Sequence, residues 1–229
     1  SPVWDTALAM SALLEGDTAP DDEALQRGCR WLLGKEVRHR GDWQVNVGAE
    51  PGGWFFEYEN EFYPDCDDTA EVLAVLERVR LSDPEEDQRR RDALDRALAW
   101  QLGMQSTNGG WGAFDKDCDH RILELVPFAD HNAMIDPPTV DVTSRSIEAA
   151  LAMGVPASDA AIRRAVRFLY SEQEADGSWY GRWGSNYLYG TWLALCALRS
   201  AGEDLTSPAV QRAVEWLLSV QQEDGGWGE

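Results

Sequence analysis

Three carboxylates fall within four residues in Asp65-Cys66-Asp67-Asp68. Like charges this close resist ionising together, so at least one of the three should hold its proton to higher pH than usual. A carboxyl kept protonated can serve as a general acid. The stretch leading to it, GGWFFEYENEFYPD from Gly52, supplies Trp54, Phe55, Phe56, Tyr58, Phe62 and Tyr63. Acid beside aromatics suits one kind of chemistry. Protonating an alkene makes a carbocation, and aromatic faces stabilise a cation through their quadrupoles without attacking it. Water in the same place would quench it. The plainer alternative is an acidic helix cap favoured by the helix dipole. The cluster alone does not choose between them.

The elements that must position these carboxylates are legible as repeats. Residues 96–111 read RALAWQLGMQSTNGGW, residues 164–179 RAVRFLYSEQEADGSW, and residues 212–227 RAVEWLLSVQQEDGGW. A degenerate copy runs from Arg27 to Trp43, with Glu36 in place of Gln and one extra residue before Gly41. Each copy has helical periodicity from Arg to Gln, and the Gly that follows is a helix stop signal. The Gln is placed to bond backbone groups at a neighbouring helix end, and the Trp to cover that junction. These copies therefore read first as structural rivets.

A second helical pattern lies between them: WDTALAMSALL from Trp4, DDTAEVLAVL from Asp67, DVTSRSIEAAL from Asp141 and YGTWLALCAL from Tyr189. Thr6, Thr69, Thr143 and Thr191 align, in the first turn of each helix. Two helix types in strict alternation make helical hairpins. The expected fold is all-α, an α/α toroid of about four hairpins, with residues 1–229 forming one partial, incompletely closed domain of a longer chain. Trp4, Asp67, Asp141 and Tyr189 each stand two residues before a shared Thr. In a toroid they would face a common end and line a central pocket. Residues 44–65 and 112–140 are long non-helical insertions of the kind that carry function.

Composition narrows the partners. A net charge of −21 repels phosphates, which argues against nucleic acid. It also gives no electrostatic hold on anionic lipid, so any membrane attachment must be apolar. No apolar run approaches the ~18 residues of a transmembrane helix. The start, Ser-Pro-Val-Trp-Asp, is no signal peptide, and both ends fall inside patterned sequence, as expected of an internal fragment. The four cysteines, at 29, 66, 118 and 196, form no CxxC pair and read as reduced thiols of a cytoplasmic protein. No metal site is expected. Asp115 to Asp119 opens like a calcium loop, but His120 stands where Gly is needed and Val126 where Glu is needed. His39, His120 and His131 have no zinc-like spacing with cysteines. There is no Ser-His-Asp arrangement and no phosphate cradle.

Asp65 to Asp68 resembles the D-x-D-D protonation motif of class II terpene cyclases, and the Gln…Gly-x-Trp copies resemble the QW motifs of squalene–hopene and oxidosqualene cyclases. The resemblance runs the whole chain and covers roughly a third of a full family member, a chain far longer than a typical domain. It implies that Asp67 donates the initiating proton and that Asp65 and Asp68 set its acidity. It implies that Tyr189 helps relay the next proton from water and that Asp141 is a second acidic position near the cluster. Trp4, Phe56, Tyr63, Phe114 and Trp183 match cavity-lining aromatics, and Phe128 and Ala129 match the constriction of the substrate channel. One position departs from some members: Arg145 stands where they place a His that partners the catalytic Asp. A fixed cation there would favour ionised carboxylates, making the acid stronger and harder to reload.

The activity so implied is cyclisation of squalene to hopene and hopanol, with no cofactor. The substrate partner is squalene or a similar polyprene, taken from a membrane surface through an apolar region mostly outside these residues. The location implied is peripheral, on the cytoplasmic side of a bacterial membrane, and a homodimer is compatible. Residues 1–229 alone are not expected to turn over. The rival readings are a class II cyclase for a diterpenoid or oxidosqualene, and a non-catalytic binding toroid. The second rival lacks the zinc site or thioester segment of its best-known forms.

Overall fold

The computed structural model describes residues 1–45, 47–120, 123 and 134–229. Among these it contains eight α-helices: α1 (Pro2–Glu15), α2 (Glu23–Leu33), α3 (Cys66–Arg78), α4 (Pro84–Gly103), α5 (Val140–Ala152), α6 (Ala160–Ser171), α7 (Asn186–Ser200) and α8 (Pro208–Ser219). The even-numbered helices start where the sequence offers a cap. Asp22 accepts the N–H of Ala24, Asp83 those of Glu85 and Glu86, and Asp159 that of Ala161. Pro84 and Pro208 occupy the first turn, where a missing N–H costs nothing. α3 and α5 are buried nearly all round, whereas α2, α6 and α8 bury one stripe and keep a polar face.

The chain divides into two compact units, Ser1–Met104 with Ala152–Val155, and Gln105–Leu151 with Pro156–Glu229. In the first, α1 packs on α2 and α3, and α3 on α4. Its core includes Leu25, Leu32, Leu73, Leu76, Trp54 and Trp100, all fully buried. In the second, α7 packs on α8, and Trp111, Ile147, Ile162, Leu169 and Trp179 are fully buried.

The repeats act as the sequence suggested, with one added partner. Gln105 Nε2 donates to the Gly109 and Ala161 carbonyls at 2.8 and 2.9 Å, the second in the first turn of α6. Gln173 Nε2 does the same to Gly177 and Ala209, at 2.9 and 2.8 Å. In both, the Gln carbonyl accepts from the Arg that opens the following copy, Arg164 and Arg212. In the degenerate copy Glu36 takes the place of Gln and holds Arg96 through two bonds, at 2.8 and 2.9 Å. Glu36 thus does occupy the Gln position.

The end of that copy is not Gly41 and Trp43. It is Gly52 and Trp54. A Cβ on Gly52 would lie 2.9 Å from the Arg96 backbone, just as one on Gly109 or Gly177 would crowd Arg164 or Arg212 at 2.6 or 2.7 Å. Trp54 Nε1 donates to Leu32 O at 2.7 Å, matching Trp179 to Leu169 at 2.6 Å and Trp227 to Leu217 at 2.8 Å. Residues 37–51 are inserted within the motif, so counting from Glu36 reached the wrong glycine. Trp43 instead meets Trp100 edge-on, with ring centroids 5.9 Å apart.

Candidate active site

In the first unit, the motif's tryptophan sets the register of the acid-bearing segment. The Trp54 N–H donates to Thr69 Oγ1 at 2.8 Å, and Trp54 O accepts the Asp65 N–H at 2.9 Å. Thr69 is fully buried, and its hydroxyl bonds the backbone of Trp54, outside its own helix. The same bond joins Trp111 to Thr143 and Trp179 to Thr191, each at 2.9 Å. Thr6 differs: its hydroxyl donates to the Pro2 carbonyl within α1.

Asp65 caps α3, its Oδ1 accepting the Asp68 N–H at 2.7 Å. Asp65 and Asp68 are buried, and Asp67 in the first turn is half-buried. Burial pushes the Asp65 carboxyl well above the usual carboxylate range, and the charge of Asp68 adds to the rise; the Asp68 N–H opposes it, and Asp67 contributes a smaller repulsion. Asp65 therefore shows the elevated titration expected of at least one of the three. Asp67 is the least enclosed residue of the cluster, although its Oδ1 is buried. The cluster can hold a proton at the head of α3.

In the loop before the cluster Trp54 and Phe55 are buried, and the later rings reach the surface of this unit. Phe56 is 50% and Tyr63 54% exposed. Phe56 shares an open cleft with Ser1 and Pro2 at the start of α1, the helix that carries half-buried Trp4.

The second unit assembles the remaining described residues. Asp141 is buried; its Oδ2 accepts the Trp183 N–H at 2.7 Å and its Oδ1 the N–H of Val142 at 3.1 Å. Trp183 meets Phe114 edge to face, centroids 6.5 Å apart. Arg145 donates to the Tyr189 hydroxyl at 2.5 Å, and its guanidinium lies 5.8 Å from that ring's centroid. Asp141, Trp183 and Phe114 are thus brought together, as are Arg145 and Tyr189. Phe128 and Ala129 lie outside the described residues.

Two residues of this arrangement escaped the sequence. Buried Asp136 accepts the N–H groups of Phe114 and Asp115, and buried Arg182 donates to the Ile135 carbonyl at 2.8 Å. Both sit in segments without periodicity, and only the Pro137-Pro138 pair beside Asp136 hinted at a fixed backbone. Among the described residues, no group of His, Cys, Asp and Glu is arranged to hold a metal ion.

Helices joined by two glutamine–arginine links and one glutamate–arginine link, with an aspartate cluster at the head of a buried helix, define a helical-repeat protein of terpene-cyclase type. The family model for the squalene–hopene cyclase C-terminal domain matches residues 1–229, and the chain belongs to that family. It is 48% identical over 211 residues to the squalene–hopene cyclase of Schizosaccharomyces japonicus, covering 88% of this chain and 31% of that protein. It is 41% identical over 208 residues to a dammaradiene synthase of Dryopteris crassirhizoma, covering 86% of this chain and 30% of that protein. The chain therefore spans under a third of the length of these relatives. Among solved structures it resembles the type II terpene cyclase MstE from Scytonema, with a TM-score of 0.59, 20% identity, and coverage of 99% of this chain and 56% of that one. This likeness shows the fold, the α/α toroid of the class II cyclases.

Proposed function

We propose that the full protein cyclises squalene to hopene, and to hopanol by water capture, through a cation cascade that Asp67 starts. The observation that carries this reading is the graded burial of the cluster. Asp65 and Asp68 are enclosed, Asp65 resists ionisation, and Asp67 alone of the three is only half-buried, in the first turn of α3.

The chemistry follows from that placement. A proton leaves Asp67 for the CH carbon of a terminal double bond. The π pair forms the new C–H bond, and a tertiary cation remains at the dimethyl carbon. Successive double bonds attack in turn. Loss of a proton ends the cascade as an alkene, and capture of water ends it as an alcohol. Asp67 is left as a carboxylate and must be reloaded. Protonation is itself the activation, so the reaction calls on no cofactor. Phe56, Tyr63, Trp4, Phe114 and Trp183 are the rings proposed to brace the cation. The substrate is insoluble in water, so we place the enzyme on a membrane surface by apolar contact, although no described helix is long and apolar enough to cross one.

The match to a dammaradiene synthase favours a second reading, in which the same initiation leads to a different triterpene product. One experiment separates them. The full-length protein in detergent is given squalene, its 2,3-epoxide or a geranylgeranyl compound, and the extracts are analysed by gas chromatography–mass spectrometry. Hopene-type pentacycles from squalene support the first reading. Another triterpene skeleton supports the second, and turnover of the epoxide or the diterpenoid alone discards squalene as substrate.

A further inference from the structure

Residues 135–141 anchor two loops at once. Asp136 Oδ2 accepts the backbone N–H of Phe114 at 2.5 Å and that of Asp115 at 3.0 Å. Gly112 presses on the same group: a Cβ there would lie 2.6 Å from the Asp136 carbonyl oxygen and 2.8 Å from Oδ2. Five residues on, Asp141 Oδ2 accepts the Trp183 N–H at 2.7 Å, and at the near end the Ile135 carbonyl accepts from Arg182 at 2.8 Å. One short segment thus fixes the backbone on both sides of the Phe114–Trp183 pair, whose rings meet at 87°.

A buried carboxylate is a costly way to tie a loop, because desolvation opposes its charge. Its two convergent N–H bonds offset part of that cost and hold the peptide of Phe114 to one position. A side chain that only filled space could not do this. We propose that Asp136 is a positioning residue for the cyclisation: by fixing the Phe114 backbone it sets the edge-to-face ring pair, and so where the advancing cation is braced and how far the cascade runs. The inference rests on the triterpene-cyclase reading above.

The test is the product pattern of the full-length protein on squalene, comparing the parent with Asp136→Ala, Asp136→Asn, Phe114→Leu and the Asp136→Ala/Phe114→Leu double variant. The ratio of partly to fully cyclised product is set within each turnover. Loss of folded protein lowers the yield without moving that ratio. Asp136→Ala should raise the partly cyclised share roughly fivefold, the size expected from weakening one ring–cation contact, in the same direction as Phe114→Leu. Asp136→Asn keeps an acceptor oxygen and should stay near the parent. The double variant should be no worse than Phe114→Leu alone. Should Asp136→Ala give no soluble protein, Asp136→Ser, too short to reach both N–H groups, is read the same way. A productive parent whose pattern survives loss of the carboxylate overturns the assignment of Asp136 alone, as does full additivity in the double variant. A parent that cyclises no squalene overturns the reading beneath it, and this inference with it.

Discussion

The Trp54 N–H donates to the Thr69 hydroxyl at 2.8 Å, and Asp67 stands two residues ahead of that hydroxyl. The tryptophan that ends one repeat therefore sets the register of the helix that carries the acid. A buried donor and acceptor satisfy each other, and sliding α3 by one residue would leave both without a partner. The same bond recurs at Trp111–Thr143 and Trp179–Thr191, so the repeat sets a distance as well as fastening two helices.

Thr69→Val keeps the shape and removes the acceptor. The buried Trp54 N–H then loses its partner, at a cost of about 1–3 kcal/mol. A lower thermal midpoint is expected, with kcat falling more than KM rises as Asp67 leaves its position. Thr69→Ser should restore most of the loss. Differential scanning fluorimetry and steady-state kinetics on the full-length protein check both. An unchanged midpoint in Thr69→Val would show that the bond does not hold α3.

The repeat frame, the alternation of helix types and the acidic cluster were legible because each depends on local spacing. Legibility ended where the chain leaves that spacing. Residues 37–51 interrupt the first motif, so spacing alone points to Trp43 as the rivet, whereas the Trp54 indole bonds Leu32 O as its counterparts do. Asp136 was invisible for a different reason. Its partners are backbone N–H groups 21 and 22 residues away, and a backbone donor leaves no mark in a sequence. Which carboxyls of the cluster are enclosed also had to wait for the structure. Three adjacent carboxylates predict at least one high titration without placing it, and burial raises that of Asp65.

Asp65 links stability to pH. Burial raises its folded pKa above the ordinary carboxylate value of about 3.9. Between that value and the raised one, the native state binds more protons than the unfolded chain. Stability contributed by Asp65 is present below the window and lost as pH rises through it. Asp65→Asn removes this loss while keeping an acceptor for the Asp68 N–H. The variant's thermal midpoint should fall less than the parent's between pH 4 and 8, roughly the span from the ordinary carboxylate pKa to neutrality, although its activity drops. Equal slopes for the two proteins would place the raised titration elsewhere.

On the proposed function, Tyr189 is the residue whose loss should separate initiation from reloading. Its hydroxyl is held by Arg145, and the family resemblance assigns it to the return of a proton from water. Tyr189→Phe should leave the single-turnover rate near the parent's and lower the steady-state rate about a hundredfold. Quenched-flow product analysis reads the first and a time course the second. A matching fall in both would make Tyr189 part of the first proton transfer.

The most direct test of the central claim follows the proton itself. The full-length protein turns over squalene in deuterated water, beside an Asp67→Asn variant shown by circular dichroism to be folded. The parent should place one deuterium on the carbon that was the terminal CH, and the variant should form no cyclised product. A folded Asp67→Asn enzyme that still delivers deuterium to that carbon would contradict the account and leave Asp67 as no more than a residue in the first turn of a helix.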